Sequence, residues 1–389
     1  MTEQEALVAL NMMQGVGSMT VLRVMERFGS AASFFDLTAR ELATLQGVGS
    51  ERAARIVAER GGIPYQQEIE RAEGCRVKLV TLVDDDYPDI LRKIIDPPPV
   101  LYVAGEPRVL KQTGCAVIGT RHATLYGKET ARRFGYQLAA AGYSVISGFA
   151  RGIDTEAHAG AVQAGGVTVA VLGSALDKMY PQENKQFARE IVEKGGAIIT
   201  EYPFGRVADR QTFPQRNRIV SGMSRGVLVI ESPLKSGTLI TVAQALEQGR
   251  TVMAVPGRID STASMGSNRL IREGARLVTS VDDVLEELQE LFADVRMRPH
   301  GGGDTLQVEE QVLPHVLASK QRVEHPAPES LLASDERKVM ASISDEGSYA
   351  DTIVRESGLE PGKVNSILVS LQIKRVIKVY PGGLFKRFK

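Results

Sequence analysis

Several guanidinium and ammonium groups in this chain fall beside glycines, directly after short apolar runs, where the chemistry available to them is anion binding. Cys115-Ala116-Val117-Ile118 leads into Gly119-Thr120-Arg121, and Tyr143 to Ile146 leads into Ser147-Gly148-Phe149-Ala150-Arg151-Gly152-Ile153-Asp154. Val227 to Ile230 is followed a little later by Lys235-Ser236-Gly237-Thr238, and Phe213-Pro214-Gln215-Arg216-Asn217-Arg218 places two guanidiniums at a helix start. Glycine turns let backbone N–H groups approach an anion, and a helix N-terminus adds partial positive charge. A planar guanidinium matches the oxygens of a phosphate. Arg121 beside Gly119 is thus read as a phosphate contact. One of Arg216 and Arg218 is expected to hold Glu201 or Glu231 at a neighbouring strand end, with the choice between them open. Arg151, Lys178 and Lys185 extend the same basic rim.

Competing chemistries fit less well. A dinucleotide fingerprint needs a second glycine where this chain has Arg121, and an acidic residue at the end of the second strand, where Val145-Ile146-Ser147-Gly148 has none. No Gly-x-x-x-x-Gly-Lys-Ser/Thr run is present to bind a nucleoside triphosphate. Asp154 and His158 share a helix face, but with no nucleophile beside them they read as a cap and a packed polar residue. Cys75 and Cys115 have neither CxxC spacing nor a histidine cluster, so no disulfide framework or metal site is expected. No cofactor is expected either.

These turns require a scaffold that brings strand ends together. The β-branched runs at 115–118, 143–146, 168–172, 227–230 and 251–255 read as strands buried on both faces of a parallel sheet. Helical segments alternate with them: Gly127 to Ala141, Thr155 to Ala164, Asn184 to Lys194, Gln215 to Ser221 and Thr238 to Gln248. The fold class is α/β, an open parallel sheet whose ligands bind outside the carboxyl ends of the strands. Before it, Gly15-Val16-Gly17-Ser18 and Gly47-Val48-Gly49-Ser50 each precede a helical segment. This repeat is similar to the helix-hairpin-helix pattern, whose turn presents N–H groups to DNA phosphate. A tandem helical bundle using the same turns only as tight connections reads equally from the residues. Ser334 to Ser342, Tyr349 to Glu356, Pro361 to Leu371 and a hairpin at 376–380 and 384–388 give the order of a winged helix, with Ser334 as its first cap. The expected division is 1–72 helical, 73–295 sheet domain, 296–332 flexible linker and 333–389 winged helix. With 47 Lys+Arg against 47 Asp+Glu, any basic footprint must be local. No run is long enough to span a bilayer, and the acidic start lacks a signal-peptide pattern, so the expected location is the cytoplasm with no membrane partner.

In these residues the chain resembles the DprA family, also called Smf, of bacterial DNA-processing proteins. The match runs through Gly119-Thr120-Arg121, Ser147 to Asp154 with His158, Val171-Leu172-Gly173 with Asp177 and Tyr180-Pro181, and Glu201-Tyr202-Pro203. It continues through Phe213 to Gly222, Ser236-Gly237-Thr238 and Val255-Pro256-Gly257 with Gly266-Ser267-Asn268. The resemblance implies an extended Rossmann-like sheet without a nucleotide cofactor, single-stranded DNA binding, self-association as a homodimer through that domain, and hand-over of the strand to RecA in natural transformation. It implies a phosphate contact at Arg121 and no catalysis. Where a basic residue often follows the family's Tyr-Pro, this chain has Gln182, leaving Lys178 or Lys185 to substitute. Phe149, Tyr180, Tyr202 and Phe204 are the candidate rings at strand ends for stacking on bases, and most of them read as core. The alternative is an enzyme similar to the nucleotide phosphoribohydrolases, whose Pro-Gly-Gly-x-Gly-Thr-x-x-Glu turn aligns with Ser232 to Thr241. Thr241 stands where the catalytic glutamate would be needed.

Overall fold

A computed structural model describes residues 1–296, 333–344, 347–374, 376–380 and 383–387. Residues Met1–Val281 form one compact unit and Asp282–Lys389 a second.

The first unit is built on a nine-stranded sheet in the order β1-β2-β6-β5-β4-β3-β7-β8-β9. Its strands are β1 Lys78–Thr81, β2 Val100–Gly105, β3 Gly114–Ile118, β4 Ser144–Ser147, β5 Thr168–Val171, β6 Ala197–Thr200, β7 Gly226–Val229, β8 Thr251–Ala254 and β9 Arg276–Leu277. From β6 to β9 all pairings are parallel, while β2 on β6 and β1 on β2 are antiparallel. Strands β3 to β7 are buried throughout, as their β-branched composition predicts. The chain steps outward from β3 through β4 and β5 to β6, then returns to pair β7 beside β3. The order therefore reverses between β3 and β7, and that switch point opens a crevice at the carboxyl ends of the two strands.

Three helices, Leu125–Ala140, Ile153–Gln163 and Thr212–Gly222, begin two or three residues before their sequence segments. Leu125–Ala140 starts two residues before Gly127 because Thr124 caps it, its hydroxyl accepting from Gly127 N at 3.0 Å. Glu231, after β7, accepts in turn from Thr124 N and Oγ1 at 2.9 and 2.5 Å, tying that helix start to the neighbouring strand end. Thr212–Gly222 starts before Gln215 because Asp209 accepts from Gln211 N and Thr212 N, and Pro214 is tolerated in a first turn. Leu125–Ala140 and Ile153–Gln163 cross at backbone contact: a Cβ on Gly160 would collide with the carbonyl of Arg132.

The helical front docks on the sheet edge. Asn11 Nδ2 donates to Glu201 O at 2.9 Å, and Glu68 accepts from Phe204 N at 2.7 Å. Its two Gly-Val-Gly turns precede helices Ser18–Phe28 and Ser50–Glu59. Arg23, from the first helix, donates to Gln46 O at the second turn, while Arg52, from the second, donates to Gly15 O at the first. Each copy thus covers the turn of the other.

The second unit holds helices Ser334–Ala341, Ala350–Ser357 and Pro361–Ile373 with a three-stranded antiparallel sheet, β10 Ser348–Tyr349, β11 Ile377–Tyr380 and β12 Leu384–Arg387, in the order β10-β12-β11. Val339, Ile353, Val364, Leu371 and Phe385 are among its buried core. The cap of its first helix is Ala333 rather than Ser334: Glu336 reaches back to Ala333 N at 2.9 Å, half of a capping box. The linker expected over 296–332 lies outside the described residues, except Arg296 at the end of helix Val281–Arg296. Phe388 and Lys389 also lie outside them. Among the described residues no helix is long and apolar enough to cross a membrane.

Candidate nucleic-acid interface

The crevice at the switch point has a volume of about 420 Å³. One wall is Gly119, Thr120 and Arg121, at the end of β3. The opposite wall is Lys235, Ser236, Gly237 and Thr238, at the N-terminus of helix Thr238–Glu247. Gly148, Arg216 and Asn217 line the floor, with Phe213 beside them. Ten of the expected anion contacts thus come together there.

The Arg121 side chain is exposed, and its guanidinium lies over the Phe213 ring at 4.8 Å from the centroid. It makes no ion pair among the described residues, so the ring presents a free guanidinium to the crevice. Ser236 Oγ donates to Thr238 Oγ1 at 2.9 Å and accepts from Thr238 N at 3.2 Å, shaping the first turn of the helix opposite.

Arg216 and Arg218 behave differently although two residues apart. Arg216 is 4% exposed, and its Nη1 donates to Gly148 O and Val171 O, clamping the carboxyl ends of β4 and β5 together. Burial, opposed by Asp154 and assisted by the Arg121 charge, lowers its pKa to about 10, so it stays cationic at neutral pH. Asp154 is buried beside it and accepts from Ala150 N at 3.2 Å. Burial raises the Asp154 carboxyl to about 6, against the pull of Arg216 and Arg121. Asp154 is the sole carboxylate on the crevice lining.

Arg218 is the structural arginine. Its Nη1 and Nη2 each lie 2.6 Å from a carboxylate oxygen of Glu201, and its Nε lies 2.9 Å from Asp96. It does not line the crevice. Arg151 is likewise engaged, by Glu183, and Lys178 and Lys185 are exposed away from the lining. Ser147 is fully buried and donates to Val117 O at 2.6 Å. Gly152 lies just beneath the β3 turn at φ +79°, where a Cβ would fall 2.5 Å from Thr120 O, so only glycine lets this loop pass.

The rings named from sequence are mostly structural. Phe149 is fully buried, in the left-handed region at φ +57°, and packs edge-on to His158. His158 Nδ1 lies 2.6 Å from Thr168 Oγ1, a packed polar residue with its pKa lowered to about 3 by burial. Tyr202 bonds Thr212 O, and Phe204 packs against Tyr102 and Arg71. Tyr180 alone is exposed, edge-on to Phe213 at 5.8 Å. Phe213, the ring that carries Arg121, was within reach of sequence reasoning only as part of its segment. His122 and Thr241, also on the lining, complete the crevice.

Residues 78–289 match the family described as DNA recombination-mediator protein A, 323–383 match the DprA winged helix domain, and 8–61 match a SAM-like helix-hairpin-helix tandem. The chain is 31% identical to Protein Smf of Synechocystis sp. over 99% of both chains. It is 36% identical to Protein Smf of Escherichia coli, covering 78% of this chain and 76% of that one. The X-ray structure of DNA processing protein A from Streptococcus pneumoniae is similar at a TM-score of 0.61 and 35% identity, over 74% of this chain and 98% of that chain. Sheet, front and winged helix together place the chain in the DprA/Smf family of DNA-processing proteins.

Proposed function

We propose that the crevice between β3 and β7 holds the sugar–phosphate backbone of single-stranded DNA, and that the protein binds the strand without breaking a bond. The observation that carries this reading is Arg121. A guanidinium with no ion pair among the described residues is presented on the face of Phe213, opposite Lys235 and a helix N-terminus. Charge-assisted, forked hydrogen bonds to a phosphate are the strong interactions such a group can make. The contacts proposed are Arg121 and Thr120 on one wall and Lys235 to Thr238 on the other. Arg216 serves as a buried positive floor, and Asn217 lies beside it. None of these groups reads a base edge, so affinity follows phosphates and salt rather than sequence.

Family membership supports the further reading that the strand is protected and passed to RecA, with a homodimer formed through the sheet unit. Binding of a labelled single strand by wild type and Arg121→Ala tests the crevice. Stimulation of RecA-dependent ATP hydrolysis on the bound strand tests the hand-over. The phosphoribohydrolase alternative predicts release of free base from a nucleoside monophosphate. Thr241 on the lining offers no carboxylate for that reaction.

A further inference from the structure

We propose that the outer face of the wing sheet in the second unit is a separate contact for single-stranded nucleic acid, with bases stacking on Tyr349 and Tyr380 and phosphates held by Lys378 and Lys386. This goes beyond the crevice reading and rests on different observations.

The register places these side chains together. Leu384 is opposite both Tyr349 and Tyr380, forming one row across all three strands. Lys378 is opposite Lys386 in the next row on the same face, since residues two apart on a strand point the same way. The intervening row, Ser348, Phe385 and Val379, faces the core. One side of the sheet is therefore packed, and the other presents two tyrosines and two lysines.

Three features of that outer face point to a ligand. Tyr349 is 56% exposed and Tyr380 41% exposed, large rings left in water at the ends of one row. Lys378 and Lys386 are directly opposite, and like charges in that position destabilise a strand pair. Both ammonium groups converge on Tyr380, at 5.7 and 5.5 Å from its ring centroid. No carboxylate is present on any of the three strands to neutralise them. The nearby Lys374 is held by Glu336 and Lys363 by Asp335, whereas among the described residues Lys378 and Lys386 have no carboxylate partner and contact a ring. Aromatic faces interleaved with cations on an open sheet are the arrangement that stacks unpaired bases and follows their phosphates.

The third helix, where a winged helix would be expected to read duplex DNA, exposes Gly362, Lys363, Asn365 and Ser366, with Lys363 already paired. The sheet face, rather than that helix, carries the free positive charge. A strand engaging both the crevice and this face would gain avidity without any contact between the two sites.

The test uses the full chain and an oligothymidylate of about 30 nucleotides, longer than a single site of about 4–16. Tyrosine ring NMR signals are followed in wild type and in Arg121→Ala, with Tyr349 and Tyr380 assigned by Tyr→Phe variants. The signals of both rings are expected to shift on titration in both proteins. Lys378→Gln with Lys386→Gln is expected to weaken binding of the long oligonucleotide at least tenfold and to reduce the salt slope by about 1.4, at about 0.7 per lost phosphate contact. Rings that stay unmoved at saturating oligonucleotide overturn the proposal. So does polyglutamate moving them as far as the oligonucleotide does, since the face would then recognise acidic protein. Failure of the crevice reading shows separately, as unchanged affinity in Arg121→Ala.

Discussion

Replacing Arg218 with alanine separates scaffold from DNA contact in the segment where the sequence left two arginines undecided. The side chain is 9% exposed and faces a Glu201 carboxylate that is 12% exposed, with both oxygens at 2.6 Å from its Nη atoms. It also donates to Asp96 O at 3.0 Å and Gln215 O at 2.9 Å, and reaches Ser18 Oγ of the helical front at 3.3 Å. Burial favours its neutral form, but Glu201 and Asp96 outweigh that and hold its pKa above the usual arginine range. Removing one partner of a buried pair leaves the other charge uncompensated, at a cost of about 3–5 kcal/mol. That is a large share of the roughly 5–15 kcal/mol that holds a typical domain folded. Urea unfolding of Arg218→Ala should thus show a midpoint lower by about 1 M or more, given a slope of about 3 kcal/mol per M. The double variant Arg218→Met with Glu201→Leu should recover much of the loss, because an apolar pair of similar volume removes the buried Glu201 charge and leaves only the solvent-accessible Asp96 without its partner. The coupling energy in that cycle should be about 2 kcal/mol or more. Protein that remains folded should bind single-stranded DNA as wild type does. Wild-type stability in Arg218→Ala combined with weakened DNA binding would refute the reasoning and return Arg218 to the interface.

Other expectations follow from the same geometry. Because burial raises the Asp154 carboxyl to about 6, above its unfolded value of about 3.9, the folded state binds the extra proton between those values. On this group's account stability is greatest at low pH and falls as pH rises through about 6. For the same reason, crevice affinity for a phosphate should rise several-fold as pH falls through that value. Asp154→Asn should flatten the rise, measured in a His122→Gln background that removes the imidazole from the lining. Gly160→Ala should destabilise the first unit by about 1–3 kcal/mol in thermal unfolding, since its Cβ meets a backbone carbonyl that cannot rotate away. Deleting residues from 331 onward should leave a folded protein whose affinity for a short single-stranded oligonucleotide stays within about twofold of wild type, with the loss confined to long strands. Abolished binding to short strands would place the primary site in the winged helix.

How far the sequence revealed this depended on the range of the interactions involved. The parallel strands were legible because β-branched runs buried on both faces have no other comfortable use, and the crevice followed from where their glycine turns must converge. Arg121 could be singled out because a lone guanidinium at a strand end lacks a local partner. Arg216 and Arg218 could not be told apart from sequence. The partners of Arg216 are the backbone carbonyls of Gly148 and Val171, and backbone atoms leave no trace in residue identity. The carboxylates that hold Arg218, Glu201 and Asp96, come from distant segments. From sequence Phe149 is one of four candidate rings, most of them expected in the core, and only the fold shows it enclosed by Ala170, Leu172 and Ile198. The helix starts at Leu125 and Thr212 were missed by two or three residues because their caps depend on Glu231 and Asp209. Ser334 looked like a good cap, but Glu336 reaching Ala333 N decides that boundary. The tyrosine–lysine face emerged only once strand register placed Tyr349 and Tyr380 in one row.

The central claim is that Arg121 presents the crevice to a phosphate backbone. It is tested most directly by measuring the affinity of a labelled single-stranded oligonucleotide, and of its duplex, for wild type and Arg121→Ala across a salt series. The account predicts preference for the single strand and a slope of log affinity against log salt near −0.7 per contacted phosphate. It also predicts a loss of about tenfold or more in the mutant, as expected when a charge-assisted contact of about 1.5–3 kcal/mol is removed. Equal binding by Arg121→Ala, with the same salt slope, would contradict it.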